Sequence, residues 1–304
     1  MNILHTLSTH WKHLRGEDSE DSPTTLTPSE QRDTPTHRTE SSPNKGTIVI
    51  IGGNEDKLGE KAILRYVAEH AHAQCISVIP TASSYGKELG DEYAEIFLQC
   101  GIPKAHVIAA RYVGDPDAPE YQAMLRESDA FFFTGGDQVR LLEVFRNTEA
   151  LRIITQKHAQ GALIAGTSAG AAAVSDVMLY DGDDEGLKKG TVCTAEGFGF
   201  LPCITVDTHF LQRNRLPRLA QILARGVNRY AIGVDEDTAL VIHSHGHALV
   251  IGSEFVTFMA ASFTMTSTYN SVQDNAPFSI HGISLSFLAP GAQFHLPSWT
   301  ILES

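Results

Sequence analysis

The sequence predicts an α/β fold, in which a mostly parallel, doubly wound sheet is followed by an antiparallel extension. Short and almost continuously apolar runs, such as residues 47–51 and 130–133, alternate with stretches of helical periodicity. Strands that helices cover on both faces have such uninterrupted apolar runs. Right-handed crossovers bring the carboxyl ends of these strands to one edge of the sheet.

The elements follow one another in a regular order along the chain. Strands of the parallel part are predicted at 47–51, 75–79, 105–109, 130–133 and 162–165. Helices, recognised by apolar residues three and four positions apart, are predicted at 57–71, 92–100, 121–126, 139–145 and 149–160. A strand at 204–210 then runs into a helix at 212–225. The antiparallel ending is predicted from strands at 230–234, 239–242, 248–251, 255–259 and 283–288.

Small polar segments follow four of the predicted parallel strands. They read Gly52-Gly53-Asn54, Thr81-Ala82-Ser83-Ser84, Gly135-Gly136-Asp137-Gln138 and Gly166-Thr167-Ser168. Open α/β sheets bind their ligands at the carboxyl ends of the strands, and segments of this composition can present backbone amides. The sequence therefore predicts a pocket on this edge of the sheet.

Composition argues against several classes of function. The chain of 304 residues has a net charge of −13 and a sequence pI of about 5.5. This charge disfavours nucleic acid and anionic membrane surfaces as partners. The four cysteines lack C-x-x-C spacing, which predicts free, buried thiols in a reducing compartment. No apolar span reaches the length of a transmembrane helix, and the protein is expected to be cytoplasmic.

The N-terminal segment differs in composition from the rest of the chain. From Gly16 to Lys45 it is rich in Ser, Thr, Pro, Asp and Glu and has almost no large apolar residue. Such a segment cannot bury enough surface to offset its ordering entropy. Residues 1–45 are therefore predicted to be disordered, and residues 46–304 to form a single α/β domain with a β-rich C-terminal extension.

The segment at 161–175, GALIAGTSAGAAAVS, predicts a nucleophile at Ser168. A short apolar strand, a G-x-S-x-G turn and the start of a helix follow one another there. This is the context in which a serine hydroxyl is exposed at the end of a sheet, and the amide of Ala169 would favour developing negative charge. The alternative is an ordinary strand-to-helix connection, in which small residues are common.

A serine nucleophile needs a base, and the base needs an acid. His209 is the best placed of the fourteen histidines, because it stands at a predicted strand end before a helix. Strand alternation puts Asp207 and His209 on one face. The carboxylate run at 181–185, DGDDE, lies between Ser168 and His209 in the chain and is the expected source of the acid. The usual role of such a run is a solvated loop.

Three further features bear on the chemistry. Arg213, Arg215 and Arg218 crowd the start of the helix at 212–225, which indicates an anion site or a solvated helix start. The HSHGH segment at 243–247 is interpreted as an exposed turn, and no metal site is expected. An α/β-hydrolase fold would also carry the G-x-S-x-G motif, but it spreads its nucleophile, acid and base over a much longer stretch than 168–209.

Six motifs, in their order along the chain, resemble those of the serine peptidase family that includes the cyanophycinases and peptidase E. The resemblance covers roughly residues 46–260 and rests on IIGGNEDK at 50–57, IPTASS at 79–84, TGGDQ at 134–138, GTSAGAA at 166–172, DTHFLQRNRLPRL at 207–219 and AIGVDEDTAL at 231–240. It implies a flavodoxin-like core related to class I glutamine amidotransferases, and a cytoplasmic homodimer that needs no cofactor. It also implies an exopeptidase that releases β-Asp-Arg dipeptides from cyanophycin, a poly-aspartate chain with arginine on each side chain.

The resemblance also implies roles for individual residues. Ser168 would be the nucleophile, His209 the general base and Glu185 the acid, with Asp183 and Asp184 as alternatives for the acid. The amides of Gly136, Asp137 and Ala169 would form the oxyanion hole. Gln138, Asp207, Thr208, Arg213, Arg215 and Arg218 would line the substrate pocket, where cyanophycinases often have glutamine in place of Thr208.

Two other functions stay open at this point. One is a peptidase E-like dipeptidase that acts on Asp-X, which the arginine-rich segment at 207–219 and the chain length disfavour. The other is an inactive homologue that binds aspartyl-arginine ligands, against which the complete set of serine, acid and histidine argues.

Overall fold

The predicted parallel strands form the centre of a computed structural model of the chain, which describes residues 45–182 and 186–302. These strands are β1 (Ile48–Ile51), β2 (Cys75–Ile79), β3 (Lys104–Val107), β4 (Ala130–Phe133) and β5 (Leu163–Thr167). They pair in parallel in the order β3-β2-β4-β5-β1. All their carboxyl ends therefore lie on one edge, as expected.

Helices connect these strands and cover both faces of the sheet. They are α1 (Ala62–His70), α2 (Lys87–Gln99), α3 (Pro119–Glu127), α4 (Gln138–Phe145), α5 (Glu149–Ala159) and α6 (Ala169–Ala173). Alternate residues of one strand enter different cores: Phe131 and Phe133 pack in one buried cluster, and Phe132 packs in another. The doubly wound arrangement is thus confirmed.

Antiparallel strands extend the sheet beyond β1. They are β10 (Thr238–Ile242), β11 (His247–Gly252), β14 (Gln293–His295) and β15 (Thr300–Leu302). The complete sheet has nine strands in the order β15-β14-β11-β10-β1-β5-β4-β2-β3. The predicted antiparallel ending is confirmed, and the HSHGH segment forms the turn between β10 and β11, where the amide of His243 donates to the carbonyl of His247.

A second sheet, which the sequence did not separate from the first, carries part of the C-terminal half. It consists of β8 (Ile204–Thr208), β9 (Tyr230–Val234), β12 (Val256–Ser267) and β13 (Ile280–Leu288), in the order β13-β12-β9-β8. The pair β8–β9 is parallel and the other pairs are antiparallel. Helix α7 (Leu216–Ala224) contributes to its core, and β6 (Val177–Gly182) pairs with β7 (Val192–Glu196) as a separate ribbon.

Two helices begin later than their periodicity predicts. The carboxylate of Asp56 accepts hydrogen bonds from the amides of Leu58, Gly59 and Lys61, which lower the pKa of Asp56 to about 2. These bonds hold a turn, so α1 starts only at Ala62. Likewise Asn214 has a left-handed φ of 51°, and α7 starts after it at Leu216.

No helix in the described ranges is both long and apolar enough to cross a membrane. All four cysteines carry free thiols, but the expected burial holds only for Cys75, since Cys100 and Cys193 are half-buried and Cys203 is exposed. The predicted disorder of residues 1–45 lies outside the described residues, apart from Lys45.

Candidate active site

Ser168 stands in the turn between β5 and α6, at the carboxyl edge of the nine-stranded sheet. Its backbone has φ 51° and ψ −110°, a strained conformation for a side chain with a Cβ atom. The Ser168 amide donates to the carbonyl of Ile51 in the neighbouring strand at 3.0 Å, which helps to hold the turn. A Cβ atom at Gly170 would lie 2.2 Å from the carbonyl oxygen of Phe133, so only glycine permits this close approach. The predicted strand, turn and helix are thus present.

His209 reaches Ser168 from the other sheet. Its Nε2 lies 2.8 Å from the Ser168 Oγ. Strand β8 ends at Thr208, and His209 has a left-handed φ of 47° while its amide donates to the carbonyl of Gly52 at 2.9 Å. The expectation that alternation places Asp207 and His209 on one face was therefore wrong, because His209 has left the strand.

The carboxylate that meets the imidazole belongs to Glu236. Its Oε1 lies 2.7 Å from the His209 Nδ1, and the side chain is 29% exposed. An ionised carboxylate can only accept, so Nδ1 carries the proton and Nε2 accepts from the serine hydroxyl. The expected acid, Glu185, lies outside the described residues, as do Asp183 and Asp184.

Glu236 was missed although a signal for it was present. It lies in the segment Asp235-Glu236-Asp237, between β9 and β10, at the edge where the other active-site segments meet. The sequence places this segment directly after the strand predicted at 230–234, and a strand end was the signal for a position at this rim. Its role beside the imidazole depends on how the two sheets meet, which no local pattern reveals.

The charges around His209 favour a neutral imidazole. Burial is the main cause that lowers the pKa of His209, and Arg213 and Arg215 lower it further, while Glu236 opposes them. The hydrogen bond from His209 is the main cause that lowers the pKa of Glu236. At neutral pH the pair therefore consists of an uncharged base and an ionised acid, as general-base catalysis requires.

The structure changes the expected oxyanion hole. The amide of Asp137 donates to the carbonyl of Ala82 at 2.8 Å, and the Asp137 carboxylate caps α4 by accepting from the amide of Val139 at 2.9 Å. This amide is therefore already engaged, and its predicted oxyanion role was wrong. The other two predicted donors, the amides of Gly136 and Ala169, have no hydrogen-bond partner among the described residues.

Asp207 and two of the three predicted pocket arginines bind one another. The Asp207 carboxylate is buried, with 1% exposure, and its Oδ2 accepts from Arg218 Nε at 2.6 Å. Arg215 Nη1 lies 3.4 Å from Asp207 Oδ1 and donates to the carbonyl of Thr208 at 2.6 Å. The anion that these two cations meet is thus an internal carboxylate. Arg213 precedes α7 and is exposed.

The other two predicted pocket residues differ in their surroundings. Gln138 donates from Nε2 to the carbonyls of Leu179 at 3.1 Å and Tyr180 at 3.3 Å, which ties the start of α4 to β6. Thr208 is buried at the end of β8.

A serine hydroxyl bonded to an imidazole, which a carboxylate in turn orients, is the means by which serine hydrolases generate a nucleophile. The fold and the site define the chain as a serine hydrolase. More specifically, it belongs to peptidase family S51, whose sequence profile matches residues 48–250.

Individual relatives agree with this assignment. The chain is 35% identical over 264 residues to the cyanophycinase of Trichormus variabilis, covering 86% of this chain and 89% of that protein. It is 32% identical over 257 residues to the cyanophycinase of Synechococcus elongatus, covering 83% and 80%. The crystal structure of a peptidase from an acI-B1 actinobacterium shares the fold, with a TM-score of 0.62 at 21% identity, over 84% of this chain and 98% of that one.

Proposed function

We propose that this protein is a serine exopeptidase that hydrolyses cyanophycin and releases β-Asp-Arg dipeptides. The observation that carries the proposal is the bonded series Ser168–His209–Glu236, with contacts of 2.8 and 2.7 Å, in a chain whose relatives are named cyanophycinases. The series supports acyl transfer, and the relatives support the substrate.

Acylation is the first half of the reaction. Ser168 Oγ forms a bond to the carbonyl carbon of the scissile amide while His209 Nε2 takes the hydroxyl proton. The carbonyl π electrons move to the oxygen, which the amides of Gly136 and Ala169 stabilise. The intermediate then expels the amine: the C–N bond breaks, and the proton on Nε2 passes to the leaving nitrogen.

Deacylation restores the enzyme. A water molecule adds to the acyl ester as His209 Nε2 takes one of its protons, and the bond from the carbonyl carbon to Ser168 Oγ then breaks. The proton returns to Oγ and the carboxylic acid product leaves. Each cycle consumes one water and one amide bond. Glu236 keeps the imidazole in the required tautomer and stabilises its charged form throughout.

Arg213 is the residue that we assign to substrate recognition outside the reacting atoms. It is exposed and lies close enough to His209 to lower the pKa of the imidazole through its charge. Each β-Asp-Arg unit of the polymer carries a free carboxylate, which a guanidinium binds in a bidentate manner. In this proposal, Asp207, Arg215 and Arg218 form a pre-organised pocket wall together with Thr208 and Gln138.

The decisive experiment is product analysis after digestion of insoluble cyanophycin by the purified protein. We expect β-Asp-Arg as the only small product, and no product from Ser168→Ala. Hydrolysis of Asp-X dipeptides without hydrolysis of the polymer would instead identify a peptidase E-like enzyme. If neither substrate is hydrolysed although aspartyl-arginine peptides bind, the protein is a binding homologue.

We further propose that the enzyme acts in the cytoplasm as a homodimer and does not bind nucleic acid. The net charge of −13 supports the last point, and the free thiols support a reducing compartment. Light scattering on the purified protein tests the dimer, for which a monomer mass would be the contrary result.

A further inference from the structure

One short segment, Gly53-Asn54-Glu55, lies beside all three members of the catalytic series. It follows β1 at the carboxyl edge of the nine-stranded sheet. Gly53 contacts the base, Asn54 contacts the acid, and Glu55 contacts Thr167, which directly precedes the nucleophile. None of them takes part in the proton transfers described above.

Gly53 lies against the base. A Cβ atom there would stand 2.4 Å from Cε1 of the His209 ring, and the backbone has φ 100°. Glycine is thus required both by the conformation and by the closeness of the imidazole. The carbonyl of Gly53 also accepts from the amide of Asp237 at 2.9 Å, which fixes the segment against the loop that carries Glu236.

Glu55 binds the residue that precedes the nucleophile. Its buried carboxylate accepts from the hydroxyl of Thr167 at 2.6 Å and from the hydroxyl of Tyr93 at 2.5 Å. Thr167 directly precedes Ser168. The segment is therefore anchored at one end to the nucleophile turn and at the other to the imidazole.

Asn54, between these two anchors, contacts the acid. Its Nδ2 donates to Glu236 Oε2 at 3.1 Å, while the other oxygen, Oε1, accepts from His209. The backbone of Asn54 has φ 49°, a conformation that asparagine tolerates better than most residues. The two oxygens of Glu236 are thus held from opposite sides, one by the base and one by Asn54.

We infer that Asn54 is a positioning residue for the proposed hydrolysis, which fixes the Glu236 carboxylate so that the carboxylate can orient His209. Without the Asn54 side-chain amide, Glu236 Oε2 can form a hydrogen bond with water instead, and the carboxylate can rotate away from His209 Nδ1. The groups that face Glu236 are His209, Asn54 and the charge of Arg213. The Asp237 carboxylate is engaged elsewhere, with the amide of Asp56 and the hydroxyl of Ser253.

Two substitutions at position 54 are expected to act in opposite directions on the base. Asn54→Gly removes the side chain, suits the positive φ and leaves Glu236 less well held, so His209 loses part of the stabilisation of its charged form. Asn54→Asp places a second carboxylate against Glu236, and this added negative charge stabilises the imidazolium. The acid limb of the rate profile should therefore move to lower pH in Asn54→Gly and to higher pH in Asn54→Asp.

The experiment measures two rates as a function of pH for the full-length chain. One is kcat/KM for cyanophycin, and the other is the rate at which a fluorophosphonate labels Ser168, which does not depend on the natural substrate. We expect both rates to fall about fivefold to tenfold in Asn54→Gly, because the lost hydrogen bond is exposed and acts on the base only through Glu236, and to fall further in Asn54→Asp. The opposite pH shifts separate positioning from a loss of stability, which would lower the rates without displacing the profile.

Asn147 provides the matched control. It is an exposed asparagine with φ 61°, in the turn between α4 and α5. Asn147→Gly and Asn147→Asp should leave both rates and both profiles unchanged. Unchanged rates and profiles in the Asn54 variants, or equal losses in the Asn147 variants, would overturn the inference. If the unsubstituted protein is labelled at Ser168 with the predicted dependence on Asn54 but leaves cyanophycin intact, the inference stands and the proposed substrate is wrong.

Discussion

The two sheets make unequal contributions to the active site. The nine-stranded sheet supplies Ser168 through a strand, a turn and a helix that are adjacent in sequence. The four-stranded sheet supplies His209 at the end of β8, and Glu236 lies where the chain passes from β9 into β10 of the larger sheet. The position of Ser168 is therefore a product of local structure, whereas its pairing with His209 and Glu236 is a product of tertiary packing.

Backbone hydrogen bonds where the two sheets meet help to fix the packing of Ser168 against His209. The amide of His209, which follows the smaller sheet's β8, donates to the carbonyl of Gly52 at 2.9 Å, and the amide of Ser168 donates to the carbonyl of the preceding residue, Ile51, at 3.0 Å. Ser168 and His209 are therefore both tied by their main chains to adjacent residues at the end of β1, which holds their side chains close together.

Removing the nucleophile gives the largest expected effect. Ser168→Ala should lower kcat by at least about 10⁴-fold, as in other serine hydrolases, because no other group can form the acyl intermediate. Its melting temperature should stay close to that of the unsubstituted protein, since only the hydroxyl is lost. Turnover that survives the substitution would show that the local motif is not the reacting centre.

Replacing the acid distinguishes the role of Glu236 from that of the carboxylate run at 181–185. Glu236→Gln should lower kcat by about 10³-fold, because the amide no longer enforces the tautomer that leaves Nε2 unprotonated. Glu185→Gln is the matched control, since it removes the same charge from the carboxylate run that the sequence favoured, and we expect less than a twofold change. The reverse order of effects would transfer the role to Glu185.

These two carboxylates show how far the sequence leads. The contact between Ser168 and His209 could be predicted because each residue stands at a strand end with a recognisable local context. The acid could not, because the spacing between nucleophile and base drew attention to residues 181–185, whereas Glu236 follows His209 in the chain. Asp207 presents the same limit, since its pairing with Arg218 joins β8 to α7 and is invisible to strand alternation.

The fold, too, could not be predicted from the sequence where it depends on tertiary pairing. Apolar runs and helical periodicity were sufficient for the parallel strands and their helices. They were not sufficient for the division of the C-terminal strands between two sheets, because a strand pattern states which face is buried and not which neighbour it pairs with. The start of α1 was likewise set by a side chain, Asp56, that lies outside the periodic segment.

The buried ion pair of the smaller sheet is expected to affect stability. Arg218→Met should reduce the free energy of unfolding by about 3 kcal/mol, because it leaves the Asp207 carboxylate buried with an incomplete set of partners. Urea unfolding measures this change. The double variant Asp207→Leu/Arg218→Met, which removes both charges, should recover part of the loss. A double variant less stable than Arg218→Met would contradict this explanation.

The smallest expected effect concerns the pH profile. His209 must be neutral to act as a base, so the rate is lost as the pH falls through its pKa, which lies below the ordinary value of 6.5 mainly because of burial. Arg213 contributes to that lowering through its positive charge. Arg213→Gln should therefore raise the pKa of His209 and move the acid limb of fluorophosphonate labelling to higher pH. The rate should change by at most about threefold, because Arg213 is exposed and its charge is screened by salt.

Arg152→Gln is the control, because it removes the same charge from an exposed position on α5 and should leave the acid limb in place. Added salt should reduce the difference between Arg213→Gln and the unsubstituted protein, and a difference that persists at high salt would mean that Arg213 acts through a direct contact and not through its field.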